Sequence, residues 1–198
     1  LIQLKSLEVK KQWEENNSIN IKFDEKLVQT FVSGLPFKLT DAQRKASFEI
    51  LKDLEKSRPM NRLLEGDVGS GKTVVAAISA LQAISAGYQV AIMAPTEVLA
   101  RQHFSTFSKI FKDYGINIAL LTNSYREINN FQFSIFNFQS IFNDKILKNK
   151  NDSRKYLSRN MAEGKINIVI GTHALIQQDI KFKNLALASS NPCFCLLC

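Results

Sequence analysis

An α/β domain, a parallel sheet with helices packed on its faces, is what this sequence predicts, and two observations carry the prediction. After Pro59 the chain alternates short β-prone runs with longer helical ones, and parallel strands need such crossovers of a dozen or more residues between them. Between the first of these strands and the first helix stands a glycine-rich run, Gly66-Asp67-Val68-Gly69-Ser70-Gly71-Lys72-Thr73. The composition agrees: 198 residues, 45% hydrophobic and 22% charged, exclude a disordered tail, a collagen-like repeat and a disulfide scaffold.

The elements follow in order. Residues 1–20 read as a polar helical lead-in with Leu4, Leu7 and Trp13 on one side, and because the first residue is Leu the chain is expected to continue upstream. Asp24 to Val32 has a capping Asp, apolar Leu27, Val28 and Phe31, and a stop at Gly34 and Pro36, so it predicts a helix. A second helix runs from Thr40 to about Lys56 with Ala42, Ala46, Ile50, Leu51 and Leu54 on its apolar face. Then come a strand (Arg62 to Glu65), a helix (Lys72 to Ala86), a strand (Gln89 to Met93), a helix (Glu97 to Phe111) and a strand (Ile116 to Leu121). Residues 123–165, rich in Asn, Phe and Lys, read as an insertion with some helix, basic over about 123–160 and flexible around Lys148 to Arg154; strand order resumes at Ile166 to Ile170. The expected organisation is a helical connector over 1–34, one domain over 35–188 whose sheet is incomplete at the C-terminus, and an aberrant tail over 189–198.

Net charge is +8, from 26 Lys+Arg against 18 Asp+Glu. Clustered cations release counterions from nucleic acid, although a general Lys and Asn bias accounts for part of the excess. The uncharged run Val74 to Thr96 is long enough to cross a bilayer, but Gln82, Ser85, Gly87 and Gln89 interrupt it, and it reads as a buried helix, a turn and a buried strand. No membrane association is expected. All three cysteines, Cys193, Cys195 and Cys198, lie in the last six residues and no secretory signal opens the chain, so a cytoplasmic location is expected.

The glycine run matches Gly, four residues, Gly-Lys-Ser/Thr, with a strand before it and a helix after it. Backbone N–H groups at a helix N-terminus converge on phosphate oxygens, and the helix dipole favours the anion. Gly66, Asp67, Val68, Gly69, Ser70 and Gly71 would wrap the phosphates, Lys72 would reach the β- and γ-phosphates, and Thr73 would ligate Mg²⁺. His173 is not expected to hold a metal, because His103 is the only other histidine and no carboxylate or thiol cluster joins them.

Three runs extend this reading: LLEGDVGSGKTVVAA at Leu63 to Ala77, APTEVLARQH at Ala94 to His103 and IVIGTHALIQ at Ile168 to Gln177. Together they resemble the superfamily 2 DNA helicases and, among them, the RecG family of branch-migrating helicases, over roughly residues 30–188. Ser70 and Ala94-Pro95-Thr96-Glu97 favour that family over the transcription-repair coupling factors. The resemblance implies a RecA-like phosphate-loop domain, the first of two motor domains in an ATP-dependent enzyme of DNA repair and recombination. ATP and Mg²⁺ would be its cofactors, branched or forked DNA its partner, and the full-length protein a monomer. Pro95, Thr96, Glu97 and Arg101, with Gly171, Thr172 and His173, correspond to segments that grip a DNA strand; Thr96 is equally placed to cap its helix. Phe37 and Gln43 correspond to an adenine-binding segment, while Thr40-x-x-Gln43 also reads as a capping box. Lys148, Lys150, Arg154, Lys155 and Arg159 are either DNA contacts or a solvated insertion.

One part of the pattern is missing. The family continues from the apolar strand at Asn184-Leu185-Ala186-Leu187 into Asp-Glu-x-His, the carboxylates that position Mg²⁺ and the attacking water. Here Asp179 is the last acidic residue, and the chain runs into Ser189-Ser190-Asn191-Pro192. A frame shift or truncation near Ala188 is the expected cause. The fragment is then expected to be inactive alone, and the alternative to a helicase motor piece is a non-catalytic nucleotide-binding relic.

Overall fold

The computed structural model describes residues 18–67, 69–129, 150–176, 180–190 and 195–197. The expectations for Leu4, Leu7, Trp13, Val68, Lys148 and Asp179 lie outside these residues. The chain divides into two compact units, one comprising 1–86 with 193–198 and the other 87–192, so the division falls inside the segment 35–188 read as one domain.

In the first unit, helix α1 (Glu25–Ser33) begins at Asp24, whose carboxylate accepts the Leu27 N–H, and ends at Gly34. Helix α2 (Asp41–Leu54) opens with the full capping box: the Thr40 hydroxyl accepts from the Gln43 N–H, and the Gln43 side chain accepts from the Thr40 N–H. Strand β1 (Asn61–Leu63) is shorter than the sequence suggests and leads to helix α3 (Lys72–Ser85), buried from Val74 to Ala83. The apolar stripes of α1 and α2, with Phe31, Ile50, Leu51 and Leu54 all buried, belong to the same unit as that helix. Gln82, in the middle of it, is buried too: its amide nitrogen donates to Lys22 O at 2.7 Å and its oxygen accepts the Asp24 N–H at 3.2 Å. The segment before α1 is thereby tied into this unit. Arg62 joins β1 to α2, its guanidinium lying 2.7 Å from Glu49 and 2.6 Å from Asp53.

In the second unit, β2 (Gln89–Met93), helix α4 (Glu97–Ile110), β3 (Ile118–Leu121), β4 (Arg126–Asn129), helix α5 (Lys150–Ala162), β5 (Ile168–Gly171), a 3₁₀ turn (His173–Ile176) and β6 (Leu185–Ser190) follow one another. The strand order within this unit is β6-β2-β5-β3-β4. Pairs β6–β2, β2–β5 and β5–β3 are parallel, as the alternation predicts, and β4 turns back antiparallel to β3. Buried on both faces, β3, β5 and residues 90–92 of β2 need apolar residues throughout, which explains their hydrophobic runs.

Three findings differ from expectation. The segment read as flexible around Lys148 to Arg154 contains the start of α5 at Lys150, because Leu157 and Met161, one turn apart, are buried against Ala119, Leu121 and Val169. Strand β4, at Arg126–Asn129, also lies within the stretch 123–165 read as an insertion. Ser189 and Ser190, assigned to the tail, lie inside β6 in register with Ile92 and Met93, since backbone pairing is indifferent to side-chain polarity; Cys195–Leu197, also in that tail, forms β7, antiparallel to β1 within the first unit. The sequence misfit shows only in the Ser189 hydroxyl, buried with no hydrogen-bond partner among the described residues.

Gln89 is the opposite case. Its amide nitrogen donates to Met161 O and Ile166 O at 3.0 and 2.7 Å, and its oxygen accepts from the Lys183 and Asn184 N–H groups at 2.8 and 3.3 Å. Losing a partner strands a buried polar group at about 1–3 kcal/mol each, whereas deleting an unpaired hydroxyl removes a cost. Gln89→Leu is therefore expected to lower the melting temperature by several degrees and Ser189→Ala to raise it slightly; calorimetry showing shifts of the same sign would contradict this account.

Candidate nucleotide and nucleic-acid sites

The phosphate loop lies in the first unit. Gly71, at φ 81°, is the N-cap of α3 and supplies no side-chain cap, so the first N–H groups of the helix face the loop without one. Gly69 is also left-handed, at φ 85°, a conformation costly for any other residue. The Lys72 ammonium folds back over this loop, donating to Gly66 O and Asp67 O at 2.7 and 2.8 Å. Gly66 admits no Cβ without crowding the Ser70 hydroxyl, which would lie 2.7 Å away. Helix N–H groups without a side-chain cap, of which Val74's donates to Gly71 O at 3.0 Å, a reachable ammonium and a half-buried Thr73 beside it form a donor set that fits a polyphosphate with a divalent cation.

Gln43 does more than cap α2. While its oxygen completes the capping box, its amide nitrogen donates to Ser70 O at 2.8 Å, and a Cβ on Gly71 would come within 2.3 Å of the same nitrogen. Both ends of this amide are engaged within the protein, and the neighbouring Phe37 is 49% exposed. The link from Gln43 to the loop was missed from sequence because it joins residues 27 positions apart.

The second cluster lies in the second unit at the C-terminal ends of its parallel strands. Met93 pairs with Gly171, Leu121 also pairs with Gly171, and the Ala94 N–H donates to Gly171 O at 2.7 Å. The segments after β2 and β5 therefore emerge side by side, bringing together Pro95, Thr96 and Glu97 with Gly171, Thr172 and His173. Gly171 has a packing reason to be glycine, because a Cβ would collide with the Leu121 carbonyl. Pro95, Thr96 and His173 are exposed, whereas Thr172 is buried. Thr96 does cap α4, accepting the Leu99 N–H at 3.3 Å; accepting leaves its own O–H free to donate. Glu97 faces inward along the rim: its carboxylate accepts the Ser124 N–H at 3.0 Å, and that bond, the largest influence on it, holds its pKa below the usual carboxylate value. It therefore acts here as a brace between α4 and the β3–β4 turn. Arg101 stacks on Tyr125 of that turn, 4.5 Å from the ring centre, a pairing with no local sequence signal. Among the described residues no three His, Cys, Asp or Glu side chains group as for a metal, and no helix among them is long and apolar enough to cross a membrane.

The glycine-rich loop before a helix without a side-chain cap lies in the first unit, and the strand-end rim lies in the second, which is of the α/β class. The DEAD/DEAH box helicase family matches residues 40–190, and the chain belongs to that family. Within it, the chain is similar to the ATP-dependent DNA helicase RecG of Aquifex aeolicus, 43% identical over 185 residues, which cover 93% of this chain and 20% of that protein. RecG of Thermotoga maritima is 38% identical over 187 residues (94% and 21%), and RecG of Bacillus subtilis 40% over 188 residues (94% and 24%). A solved structure of RecG bound to a three-way DNA junction superposes with a TM-score of 0.77 at 39% identity, covering 94% of this chain and 22% of that one. This chain thus spans a fifth to a quarter of the length of these relatives.

Two outcomes test the rim. Gly171→Ala is expected to cost ~1–3 kcal/mol from overpacking against the Leu121 carbonyl, read as a lowered denaturation midpoint; an unchanged midpoint would remove the close-approach argument. His103, buried on α4, has its pKa lowered from 6.5 by burial. The unfolded chain then binds the proton first, so this contribution to stability is whole above about pH 6.5 and declines as pH falls below it. Melting temperatures between pH 8 and pH 5 should show the decline, and His103→Gln should flatten it; a wild-type profile that is already flat speaks against it.

Proposed function

We propose that this chain is the first motor domain of a RecG-type helicase, binding ATP in its first unit and a DNA strand along the rim of its second. The observation that supports this most directly is the α3 N-terminus, which opens at left-handed Gly71 without a side-chain cap and with Lys72 poised over the loop. Lys72 would exchange the Gly66 and Asp67 carbonyls for β- and γ-phosphate oxygens, the loop residues Gly66, Asp67, Val68, Gly69, Ser70 and Gly71 would wrap the phosphates, and Thr73 would hold Mg²⁺ through its hydroxyl. ATP, when bound, supplies the anhydride whose hydrolysis drives strand movement. Phe37 offers an exposed ring face to adenine, and Gln43, already bonded to Ser70 O, couples that segment to the loop. On the rim, Pro95 and Gly171 shape the two turns, exposed Thr96 and His173 meet phosphate oxygens and sugars, and Arg101 adds charge; Thr172, expected among the DNA contacts, is buried behind them, and Glu97 holds the rim in place.

By the same reading the parent protein is a cytoplasmic, monomeric enzyme that acts on branched or forked DNA in repair and recombination. This sequence carries no carboxylate after Asp179, so the chain alone binds nucleotide without turning it over. The second reading, a non-catalytic relic, draws on the same absence and on the orphaned Ser189 hydroxyl.

Lys72→Ala removes a charge-assisted hydrogen bond worth about 1.5–3 kcal/mol. It is expected to weaken binding of a fluorescent ATP analogue by roughly tenfold or more; equal affinities would withdraw the phosphate-loop assignment. Phosphate release by the 198-residue chain with forked DNA should match that of the Lys72→Ala variant, and any excess would show that the chain hydrolyses ATP by itself.

A further inference from the structure

A groove of about 720 Å³ runs between α4 and the β3–β4 hairpin. Arg101, Lys109 and Lys112 line it, opposed by a single carboxylate, Glu127. Arg101, Ser105 and Lys109 are spaced four residues apart, which puts them in one row along the helix. Lys109 and Lys112 are exposed, and neither forms an ion pair among the described residues. The Ser108 hydroxyl, which also lines the groove, is shielded from solvent with no hydrogen-bond partner among those residues.

We propose that this groove carries a DNA backbone away from the strand-end rim, with Arg101, Lys109 and Lys112 on its phosphates and Ser108 donating to it. The inference rests on the reading of the rim as a DNA site and extends that footprint along α4. Position argues for DNA: Arg101 belongs both to the groove and to the helix that Thr96 caps, so one strand can pass continuously from rim to groove. Length agrees, because eight residues of helix from Arg101 to Lys109 rise ~12 Å, about the axial span of three to four nucleotides of a B-form strand. Phe104 on the wall of the groove gives a base an apolar contact. The charge ratio excludes a cationic partner.

The test is fluorescence anisotropy of a labelled three-way DNA junction with the 198-residue chain between 50 and 200 mM NaCl. Two lost phosphate contacts reduce the slope of log affinity against log salt by about 1.8. Over that fourfold salt range the wild type should therefore lose roughly 12-fold more affinity than Lys109→Ala/Lys112→Ala. Lys26→Ala/Lys45→Ala, with the same charge change on exposed residues of the first unit, should keep the wild-type slope. If the control pair lowers the slope equally, the effect is net charge and the groove proposal falls. If Thr96→Ala weakens binding while the Lys109/Lys112 pair leaves affinity and slope unchanged, the groove proposal falls and the rim reading stands. Failure of the wild type to bind the junction overturns both. Poly-glutamate competing as well as DNA for the wild type but not for the double variant makes the groove a site for acidic protein, which also overturns the proposal. Thermal melts confirm that the variants are folded when compared.

Discussion

A single buried amide organises the second unit. Gln89 stands at the first residue of β2, and its side chain closes hydrogen bonds to the end of α5, the entry to β5 and the entry to β6. An amide offers two donor hydrogens and two acceptor lone pairs, and here all four meet backbone groups that the sheet leaves open at this end. The strands flanking β2 are held at their starts, so their far ends arrive in register. Those far ends are the rim. Gln82 does comparable work in the first unit, where it fastens the segment before α1 to α3.

At the rim the governing constraint is the approach of β3 to β5. Gly171 lets the Leu121 carbonyl come closer than any Cβ permits, and the segments bearing Thr96 and His173 leave from that junction. Around it the rim is braced by polar contacts rather than by apolar burial: Glu97 to the Ser124 N–H, Thr96 to the Leu99 N–H, and Arg101 over Tyr125. Thr96 and Arg101 retain exposed surface and unused hydrogen-bonding capacity, which on the proposed reading would serve a ligand's phosphates. The phosphate loop follows the same logic, with Lys72 resting on carbonyls it can leave.

How far the site could be read in advance depends on the range of the interaction. The phosphate loop was legible because its chemistry is local: three glycines, a lysine and a threonine within eight residues, between a strand and a helix. The two capping motifs at Thr40 and Thr96 were legible for the same reason, and both form. Glu97 was legible as a member of the rim but not as its brace, since its partner is the backbone of Ser124, 27 residues on. Some helix was expected in the Asn- and Lys-rich stretch 123–165, but its weak periodicity gave neither strand β4 nor the start of α5 at Lys150; burial of Leu157 and Met161 fixes that helix. The strand at Ser189 and Ser190 runs against side-chain propensity, because parallel pairing with β2 outweighs it.

Resemblance to a family marked out the two rim segments, while by itself the sequence determined the class of fold, the glycine-rich loop between a strand and a helix, the caps at Thr40 and Thr96, and the absence of Asp and Glu after Asp179. These are properties of residue types at short spacing, set by backbone freedom, capping and apolar periodicity. Tertiary structure decided which strands are neighbours, that Gln82 and Gln89 are stitches rather than mere interruptions of an apolar run, that Gln43 holds the loop, and that a basic groove continues from the rim. Each of those depends on groups far apart in sequence meeting at hydrogen-bonding or contact distance, and no local pattern encodes such a meeting.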